Sequence, residues 1–365
     1  MLFMDKIVAI VQSIVPSYRE DFFALLMEKK NIQIYTYLSS SCSKNGVLLA
    51  TLDAKNILSF KLFKMLFVNI IPLLSNKNST VVLSSELKSI TNWFVLLFAR
   101  FFNIKVILWG HGVDARYYDQ QVLKMPFVRV CLYRLADGAW FYTEKEKKVW
   151  DKILPRLRSV ALMNTVHVKA TDVIFSDGKN QKLKEKLSIT TKINFIFCAR
   201  FSRIDRRADL LINFISNLDS SKFGLIVIGD GAYKPNFSLY SNIYDFGSVY
   251  DAKFKSELFA VADVYFQPAC IGLSVVEAMA YSKPIFTLKR SDSIMQGVEY
   301  SYIEHNYNGM LFECIDDLSS FVTTCDVSYY KKLGTNARIY YDNRLSMQNM
   351  VNNAVKGIDM LGINV

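Results

Sequence analysis

The sequence predicts an α/β protein made of two Rossmann-like, doubly wound domains that face a central cleft. Its 365 residues are too many for one ordinary domain, and 51% of them are hydrophobic, which is enough apolar material for two cores. Short β-branched runs alternate with helical patterns in both halves, which is typical of parallel sheets covered by helices. A polar, lysine-rich stretch separates the two series.

The first series defines an N-terminal domain that we assign to residues 1–168. Amphipathic spacing predicts its helices, and runs of apolar and β-branched residues predict its strands. The expected elements are the strand KIVAIVQS, the helix YREDFFALLMEKK, the strands NIQIYTYL and TVVLSS, the helix ITNWFVLLFARFF, the strands KVILWG and GAWFYT, and the helix EKEKKVWDKI. The charged run from Glu144 to Lys148 in the last helix is expected to be a solvated face.

The second series defines a C-terminal domain that we assign to residues 192–345. Residues 169–191 form the predicted linker region, and residues 346–365 are expected to form a helix that packs back on the N-terminal domain. Ligands are expected at the carboxyl ends of the strands. The expected elements are KINFIFCAR, the helix ADLLINFISNL, FGLIVIGDG, NIYDFGSV, the helix DAKFKSELFAVA, VYFQP and PIFTL.

Basic charge is concentrated in the first half of the chain. The formal net charge is +11; residues 1–168 hold 22 Lys and Arg against 12 Asp and Glu, a net of +10, and the remainder holds 22 against 21. A basic domain suits nucleic acid, an anionic membrane or a phosphorylated substrate. The interleaved arginines and aromatics of a nucleic-acid module are missing, so we expect a membrane or a phosphate and no nucleic acid.

Composition also bears on redox state, metals and location. The six cysteines are too widely spaced for a disulfide framework or a zinc site, and with three histidines a metal site is not expected. The cysteines are Cys42, Cys131, Cys198, Cys270, Cys314 and Cys325.

The start MLFMDKIVAIVQSIVP reads as a strand and not as a signal peptide. No uncharged apolar run approaches the roughly 20 residues of a spanning helix. We therefore expect a cytoplasmic protein that can lie on the inner face of the cell membrane.

The segment NILSFKLFKMLFVNIIPLLS places Lys61 and Lys64 among apolar residues. One interpretation is a helix in a membrane interface, with the lysines reaching the headgroups. The other is a buried crossover helix.

The stretch Val261–Pro284, VADVYFQPACIGLSVVEAMAYSKP, is the most informative in the chain. It reads as a buried strand, a turn at Gly272 and a helix that carries one acid, Glu277. Backbone N–H groups at such a turn suit a phosphate or diphosphate, and the carboxylate suits sugar hydroxyls. The stretch therefore predicts a site for a nucleotide that carries a sugar.

Further candidates follow other predicted strands. Gly229 and Gly231 follow LIVI, where glycine allows a ligand to approach the backbone, although any tight turn would look the same. Arginines after INFIFCA suit a diphosphate, and a solvated basic loop is the alternative. These arginines are Arg200, Arg203, Arg206 and Arg207.

Two candidates lie in the first half. His111 in WGHGVD has a glycine on each side, which favours a ligand contact over a core position. Tyr18 and Arg19 stand at the first strand-to-helix turn and could meet an anionic acceptor; the alternative is an ordinary surface position at a helix start.

Together these segments resemble the group 1 (family 4) glycosyltransferases of the GT-B architecture, in particular bacterial members that assemble surface polysaccharides. The resemblance covers most of the chain. It rests on PSYREDFFALL, VILWGHG, ADGAWFYTEKEK, MNTVH, CARFSRIDRRADLLI, VIGDG, the glycine of YDFGSV, FAVADVYFQP with IGLSVVEAMAYSKPI, and HNYNGMLF.

The resemblance implies transfer of a hexose-type sugar from a nucleotide diphosphate sugar, as co-substrate and without cofactor or metal, with retention of configuration. The implied acceptor is a growing capsule or O-antigen glycan, linked to a lipid diphosphate and held on the N-terminal side. Arg200 matches the arginine at the donor diphosphate, and Arg206 stands one residue later than the usual lysine. Glu277 matches the ribose ligand, and His111 a histidine near the transferred sugar.

The resemblance also implies a loop whose amides face the phosphates and the sugar, which Gly272, Leu273 and Ser274 match. The chain departs from the family at Ala269, where the first of two paired glutamates is usual, and the nearest upstream acid, Asp263, is not a convincing substitute. Two alternatives stay open: a non-catalytic nucleotide-sugar-binding protein, which Ala269 favours, and a sugar-nucleotide epimerase, for which cleft carboxylates and histidines are few.

Overall fold

The structure, a computed structural model, describes residues 6–38, 49–75, 77–114, 125–168 and 177–362. These residues divide into two compact units, 1–167 with 346–365 and 168–345. Cys42 and the first residues of the predicted linker, 169–176, lie outside the described ranges. The other five cysteines are free.

The first unit is built on a parallel sheet of seven described strands, in the order β3-β2-β1-β6-β7-β8-β9. Apolar residues of β1, β6, β7 and β8 are buried on both faces, as expected for a doubly wound sheet. The strands are β1 (Ile7–Gln12), β2 (Ile32–Thr36), β3 (Lys55–Asn56), β6 (Asn78–Ser84), β7 (Lys105–Trp109), β8 (Gly138–Phe141) and β9 (Arg158–Ala161), with a separate hairpin of β4 (Ser59–Leu62) and β5 (Met65–Val68).

Helices cover this sheet, and the last helix of the chain is one of them. Met350, Val351, Ala354 and Ile358 of that helix are buried in the core of the first unit, where they pack with Trp140. The C-terminal helix therefore packs with the first unit although 178 residues of chain, 168–345, form the second. The helices are α1 (Glu20–Met27), α2 (Ile90–Phe98), α3 (Phe127–Leu135), α4 (Glu144–Ile153) and, at the end of the chain, α11 (Met347–Asp359).

The second unit has a parallel sheet of six described strands, in the order β12-β11-β10-β13-β14-β15. Aromatic side chains dominate its core, where Phe195 packs against Phe214 and Phe286, and Phe214 packs against Phe266. The elements are α5 (Asp177–Lys186), β10 (Ile193–Cys198), α6 (Asp209–Ser216), β11 (Phe223–Ile228), β12 (Ile243–Asp245), α7 (Ala252–Val261), β13 (Val264–Phe266), α8 (Ser274–Ala280), β14 (Ile285–Leu288), β15 (Gly309–Phe312), α9 (Ile315–Thr324) and α10 (Val327–Tyr340).

The strand order places a topological switch point at β10. From this strand the chain first moves outward to β11 and β12, and later returns to β13 on its other side. Register pairs Cys198 with Ile228, so β10 and β11 end level with each other. Ligands of open α/β sheets bind outside the carboxyl ends at such a point. The predicted architecture of two Rossmann-like domains is thus confirmed.

Residues 56–75 differ from both sequence-based interpretations, because they form a hairpin and not a helix. β4 and β5 pair antiparallel, with Phe60 opposite Phe67 and Leu62 opposite Met65. The connection, Phe63 and Lys64, has φ of 47° and 64°. Two residues of positive φ suit a tight hairpin, but they lack the Asn-Gly or Gly signature by which such a turn is recognised in sequence. None of the helices in the described ranges is long and apolar enough to cross a bilayer.

Two further expectations change. Residues 177–191 are not a separate linker: α5 packs against α7 in the second unit, and Lys184 Nζ donates to the carbonyl of Lys192 at 2.9 Å. The run Glu144 to Lys148 is not wholly solvated either, because the side chain of Glu146 is completely buried. Its carboxylate closes a capping box with Thr143 at the start of α4.

Candidate functional site

The candidate donor site of the second unit is formed where β10, β11 and β13 end. Three segments follow these neighbouring strands, namely the arginine loop (residues 199–207), the glycine turn (229–231) and the donor loop (267–273) that leads into α8. Cys270 of the donor loop donates from Sγ to the carbonyl of Asp205 in the arginine loop, at 3.2 Å. The structure therefore brings the predicted phosphate-binding segments together.

The glycine turn positions the arginine loop. Gly229 and Gly231 both have φ of +145°, and a Cβ on them would lie 2.0 Å from the carbonyl oxygen of Ala199 and 2.5 Å from that of Phe201. The amides of Ala199 and Phe201 bond to the carbonyls of Ile228 and Asp230. The two glycines thus allow close backbone contact on both sides of Arg200, a role that the sequence did not reveal.

The four arginines of this loop have different surroundings. Arg203 forms an ion pair with Asp205, and Arg207 forms one with Asp209 at 2.8 Å. Arg200 is exposed. Arg206 is largely enclosed, and no group in the described residues accepts a hydrogen bond from its buried Nε. Burial lowers the pKa of the Arg206 guanidinium, and the charges of Arg200 and Arg203 act in the same direction.

An arginine in these surroundings is suited to binding an anion. Burial of a cation costs free energy unless a counter-charge compensates for it, and nearby arginines add repulsion. An anion that reaches Arg200 and Arg206 together would remove both costs. Guanidinium groups also match phosphate oxygens in geometry.

Two buried glutamines hold the donor loop. Gln267 donates from Nε2 to the carbonyls of Ala269 and Cys270, at 2.9 and 2.8 Å, and its Oε1 accepts from Tyr265 and Ser274, at 2.6 and 3.0 Å. Gln296 Oε1 accepts from the amide of Ile271 at 3.0 Å. The loop is therefore held in place by side chains beneath it.

These glutamines were missed in the sequence. The signal for Gln267 was a polar residue at the end of the otherwise apolar strand VYFQ. Gln296 had no local signal, because it reaches the donor loop only through the tertiary fold.

The departure at Ala269 is structural as well as chemical. Ala269 has no exposed surface and belongs to the apolar core of the second unit. Asp263 does not replace the missing carboxylate, because it lies at the other end of β13 and accepts a hydrogen bond from the amide of Asn194. Burial raises the pKa of Asp263.

Glu277 lies in α8 with 19% of its side chain exposed and forms an ion pair with Lys255 of α7, at 3.1 Å. Burial is the largest single influence on Lys255 and lowers its pKa, but Glu277, Cys198 and Tyr281 act together in the opposite direction, so the pKa of Lys255 is raised. Nothing in the sequence distinguished Lys255 from the other lysines. The pair fixes the position of the Glu277 carboxylate, whose oxygens are of the kind that accept hydrogen bonds from hydroxyls.

At the turn before α8, Gly272 and Leu273 start the helix without a side-chain cap. A Cβ on Gly272 would meet no atom within 4 Å, so this glycine borders open space. Ser274 Oγ donates to Gln267 Oε1 at 3.0 Å, so the hydroxyl is turned toward the side chain beneath the donor loop.

His111 lies in the first unit, directly after β7. Its ring packs on Tyr142 at 4.3 Å, and its Nδ1 lies 3.5 Å from Oε1 of the buried Glu146. The flanking glycines have packing roles: a Cβ would lie 2.5 Å from Ser85 Oγ at Gly110 and 2.3 Å from Trp150 Nε1 at Gly112. The side chain of His111 is itself 55% exposed.

Tyr18 and Arg19 have different surroundings in the structure. Tyr18 is exposed, whereas Arg19 is 6% exposed. Arg19 donates to Asn164 Oδ1 and lies over the rings of Trp109 and Tyr142. Arg19 is thus neither a surface residue nor an open acceptor contact; it stabilises the first unit, and the prediction that it binds the acceptor is withdrawn.

Within the described ranges, no cluster of three or more His, Cys, Asp or Glu side chains could hold a metal ion.

Comparison with known families gives a match in the second unit. Residues 192–325 match the family model described as glycosyl transferases group 1. This segment contains the arginine loop, the glycine turn and the donor loop. No curated protein sequence matches the chain.

Solved structures resemble the whole chain. HepE of Anabaena, solved in complex with UDP, is 14% identical, with a TM-score of 0.70 over 97% of this chain and 100% of HepE. A glycosyltransferase of Rickettsia africae is 15% identical, with a TM-score of 0.66 over 99% and 100%. Sucrose-phosphate synthase of Thermosynechococcus elongatus is 12% identical, with a TM-score of 0.67 over 98% and 99%.

At such identities the solved structures establish the fold alone, and the family model matches the segment that contains the candidate site. The chain has the two-domain GT-B fold, and its residues 192–325 match the model of the group 1 glycosyltransferases.

Proposed function

We propose that the protein is a retaining glycosyltransferase that moves a hexose-type sugar from a nucleotide diphosphate sugar to a growing surface polysaccharide. The family match and the GT-B fold support glycosyl transfer. HepE has also been solved with UDP-glucose, which favours a uridine diphosphate sugar as the donor. The proposed acceptor is a lipid-diphosphate-linked glycan of the capsule or O-antigen type, met at the cytoplasmic face of the membrane.

The observation that carries this proposal is the state of Arg206. Its Nε is buried without an acceptor, and Arg200 and Arg203 add positive charge around it. Binding an anion would lower the free energy of such a group. The proposed anion is the diphosphate of the donor, because the family match suggests a nucleotide diphosphate sugar as the substrate. Arg200 and the amides of Gly272, Leu273 and Ser274 complete the proposed diphosphate site, and Gly229 and Gly231 allow the nucleotide to approach the backbone beside it.

In the proposed reaction, the bond between the anomeric carbon and the β-phosphate oxygen breaks while the acceptor oxygen attacks from the same face. The acceptor proton passes to the leaving phosphate. Arg200 and Arg206 stabilise the charge that develops on this diphosphate, so the step needs no metal. Groups placed in advance against developing charge often contribute more to catalysis than any other single effect.

The remaining residues bind the two substrates. Glu277, which is ion-paired with Lys255, is the proposed acceptor of hydrogen bonds from the donor ribose. His111 is proposed to contact the transferred sugar, and Tyr18 the acceptor.

A donor panel tests this proposal. UDP-, GDP- and dTDP-sugars are screened for thermal stabilisation, because a ligand that binds the folded state raises the midpoint of unfolding. One sugar nucleotide should stabilise the protein, and it should then be consumed when a lipid-linked glycan is added. Arg200→Ala should lower turnover by about a hundredfold or more while the fold is kept. Near wild-type turnover in Arg200→Ala would show that Arg200 has been assigned wrongly.

A non-catalytic nucleotide-sugar-binding protein is the second candidate, and the buried Ala269 favours it. Such a protein would be stabilised by the same sugar nucleotide but would neither transfer nor hydrolyse it. Release of the free nucleoside diphosphate by the purified protein therefore separates the two functions.

A further inference from the structure

The hairpin of the first unit has its apolar side chains turned to solvent. On β5, Leu66 and Val68 are buried, and Val68 bonds through its backbone N–H to Thr91 Oγ1 of α2 at 2.6 Å. The opposite face of the hairpin carries Phe60 and Leu62 of β4 and Met65 of β5, all exposed. We call these three residues, together with Phe63, the hairpin face.

Phe63 occupies the tip of the hairpin and is 89% exposed. It has a left-handed conformation, with φ of 47°. A bulky residue rarely adopts this conformation, which costs about 1 kcal/mol or more. An exposed aromatic side chain at a strained tip contributes nothing to the core of the unit, so the stability of the fold does not explain it.

The helix beside the hairpin has an exposed apolar stripe. Phe94, Leu97 and Phe98 lie in α2, and Phe101 lies in the 3-10 turn Ala99–Phe102 that continues it. Phe94 is three and four residues from Leu97 and Phe98, which are four and three residues from Phe101, and all four are exposed. The rings of Phe94 and Phe98 stack at 6.0 Å, and that of Phe101 lies 6.2 Å from Phe98. We call these residues the helix stripe. A stripe of this composition normally faces a core.

Basic residues surround both apolar features. Lys61 and Lys64 on the hairpin, Lys88 beside it and Arg100 within the stripe are all exposed. Residues 55–105 hold seven lysines and arginines and one acid, Glu86. A second copy of the chain would bring these like charges together, whereas an anionic bilayer would neutralise them.

We propose that the hairpin face and the helix stripe dock the first unit on an anionic lipid bilayer. Phe63 and its neighbours enter the boundary between headgroups and acyl chains, and the lysines and Arg100 contact anionic headgroups. Apolar insertion combined with basic charge is the combination that holds peripheral proteins at membranes. The proposal specifies a surface for the membrane location included in the proposed function, but it does not depend on glycosyl transfer.

The experiment is co-sedimentation of the full chain with vesicles, in the absence of donor and acceptor. Vesicles of phosphatidylcholine are compared with vesicles that also contain phosphatidylglycerol. The protein should bind the anionic vesicles, and added salt should weaken binding. The double variant Phe60→Ser/Phe63→Ser should lower vesicle affinity by about tenfold or more, because two exposed aromatics lose their apolar contact. Lys61→Gln/Lys64→Gln should lower it by a similar factor on anionic vesicles only.

Leu239→Ser is the matched control, since Leu239 is 83% exposed and lies in the second unit. It should bind vesicles as the wild type does. The proposal is overturned if the wild type does not bind, or if Phe60→Ser/Phe63→Ser binds equally well. A dimer that is lost in that variant, without vesicle binding by the wild type, would assign the surface to a second copy instead. A protein that binds vesicles without transferring sugar would contradict the proposed function alone.

Discussion

The carboxylate of Glu146 is fully buried, and its two oxygens face different partners. Oε2 accepts from the amide of Thr143 at 2.9 Å and closes the capping box of α4. Oε1 accepts no hydrogen bond from the described residues and lies 3.5 Å from Nδ1 of His111. Glu146 thus both stabilises the start of α4 and places a buried carboxylate oxygen beside His111, the residue proposed to contact the transferred sugar.

The first prediction follows from this pair. In Glu146→Gln the side chain can still cap α4, because glutamine serves in a capping box. The charge beside His111 is lost, so the ring is oriented less strictly. We expect kcat to fall between about tenfold and a hundredfold with little change in the donor KM. Steady-state kinetics measure both. Glu144→Gln removes the same charge from the same helical turn and should leave kcat unchanged; equal losses in the two variants would indicate an effect of net charge only.

The second prediction concerns Arg206. Arg206→Met removes an enclosed cation whose Nε lacks an acceptor, so the thermal midpoint should be unchanged or higher. The affinity for UDP should fall by about tenfold or more, because a charge-assisted hydrogen bond is lost. Calorimetric titration with UDP and a thermal melt provide the two values. Arg207→Met, which breaks a pair with Asp209, should affect UDP binding far less. Full UDP affinity in Arg206→Met would exclude Arg206 from the diphosphate site.

The third prediction separates two glycines. A Cβ at Gly229 would lie 2.0 Å from the Ala199 carbonyl, at a φ of +145°, so Gly229→Ala should lower stability by about 2 kcal/mol or more. Gly272→Ala meets no atom within 4 Å and should melt like the wild type. If the turn at Gly272 contacts the donor, this variant should nevertheless bind UDP more weakly. A stable Gly229→Ala protein would contradict the packing role given to that residue.

The fourth prediction is a pH dependence that comes from Lys283. Burial lowers the pKa of Lys283 from its ordinary 10.5 to about 8, although Asp263 partly offsets this. Between these values the unfolded chain holds the proton and the folded protein does not, so stability rises with pH in this window. The gain is up to about 3 kcal/mol.

Urea unfolding of the wild type and of Lys283→Met, from pH 7.5 to 10.5 in steps of roughly half a unit, measures the effect. The difference in unfolding free energy between the two proteins should move in favour of the wild type as pH rises. Parallel pH profiles would show that Lys283 keeps its ordinary pKa in the fold.

Patterns within single segments were sufficient for most of the elements. Burial on a sheet or along a helix imposes a local period of apolar residues. This period predicts the strands and helices of both series and the location of the donor loop before α8. The hairpin at residues 59–68 was not predicted, since its turn, Phe63-Lys64, lacks the usual residues. The burial of Glu146 could not be predicted, because the charged residues on either side of it favour an exposed helix face.

Local patterns in the chain were enough to predict the two α/β domains and to show the resemblance to the group 1 glycosyltransferases. These features depend on periodicity and on residue chemistry, both of which can be seen in a single segment. The residue types proposed for the site, and the departure at Ala269, come from the residues that carry that resemblance.

Only the tertiary structure decided which of these residues contact each other. In the fold, Arg203 and Arg207 form ion pairs and the Nε of Arg206 does not bond to any described residue. Arg19 is buried, and Lys255 pairs with Glu277. Gln267 and Gln296 lie beneath the donor loop. Burial and pairing bring together segments that lie far apart in the chain, so no single segment contains the information. A charge becomes costly, or useful, only once the fold has removed water from it.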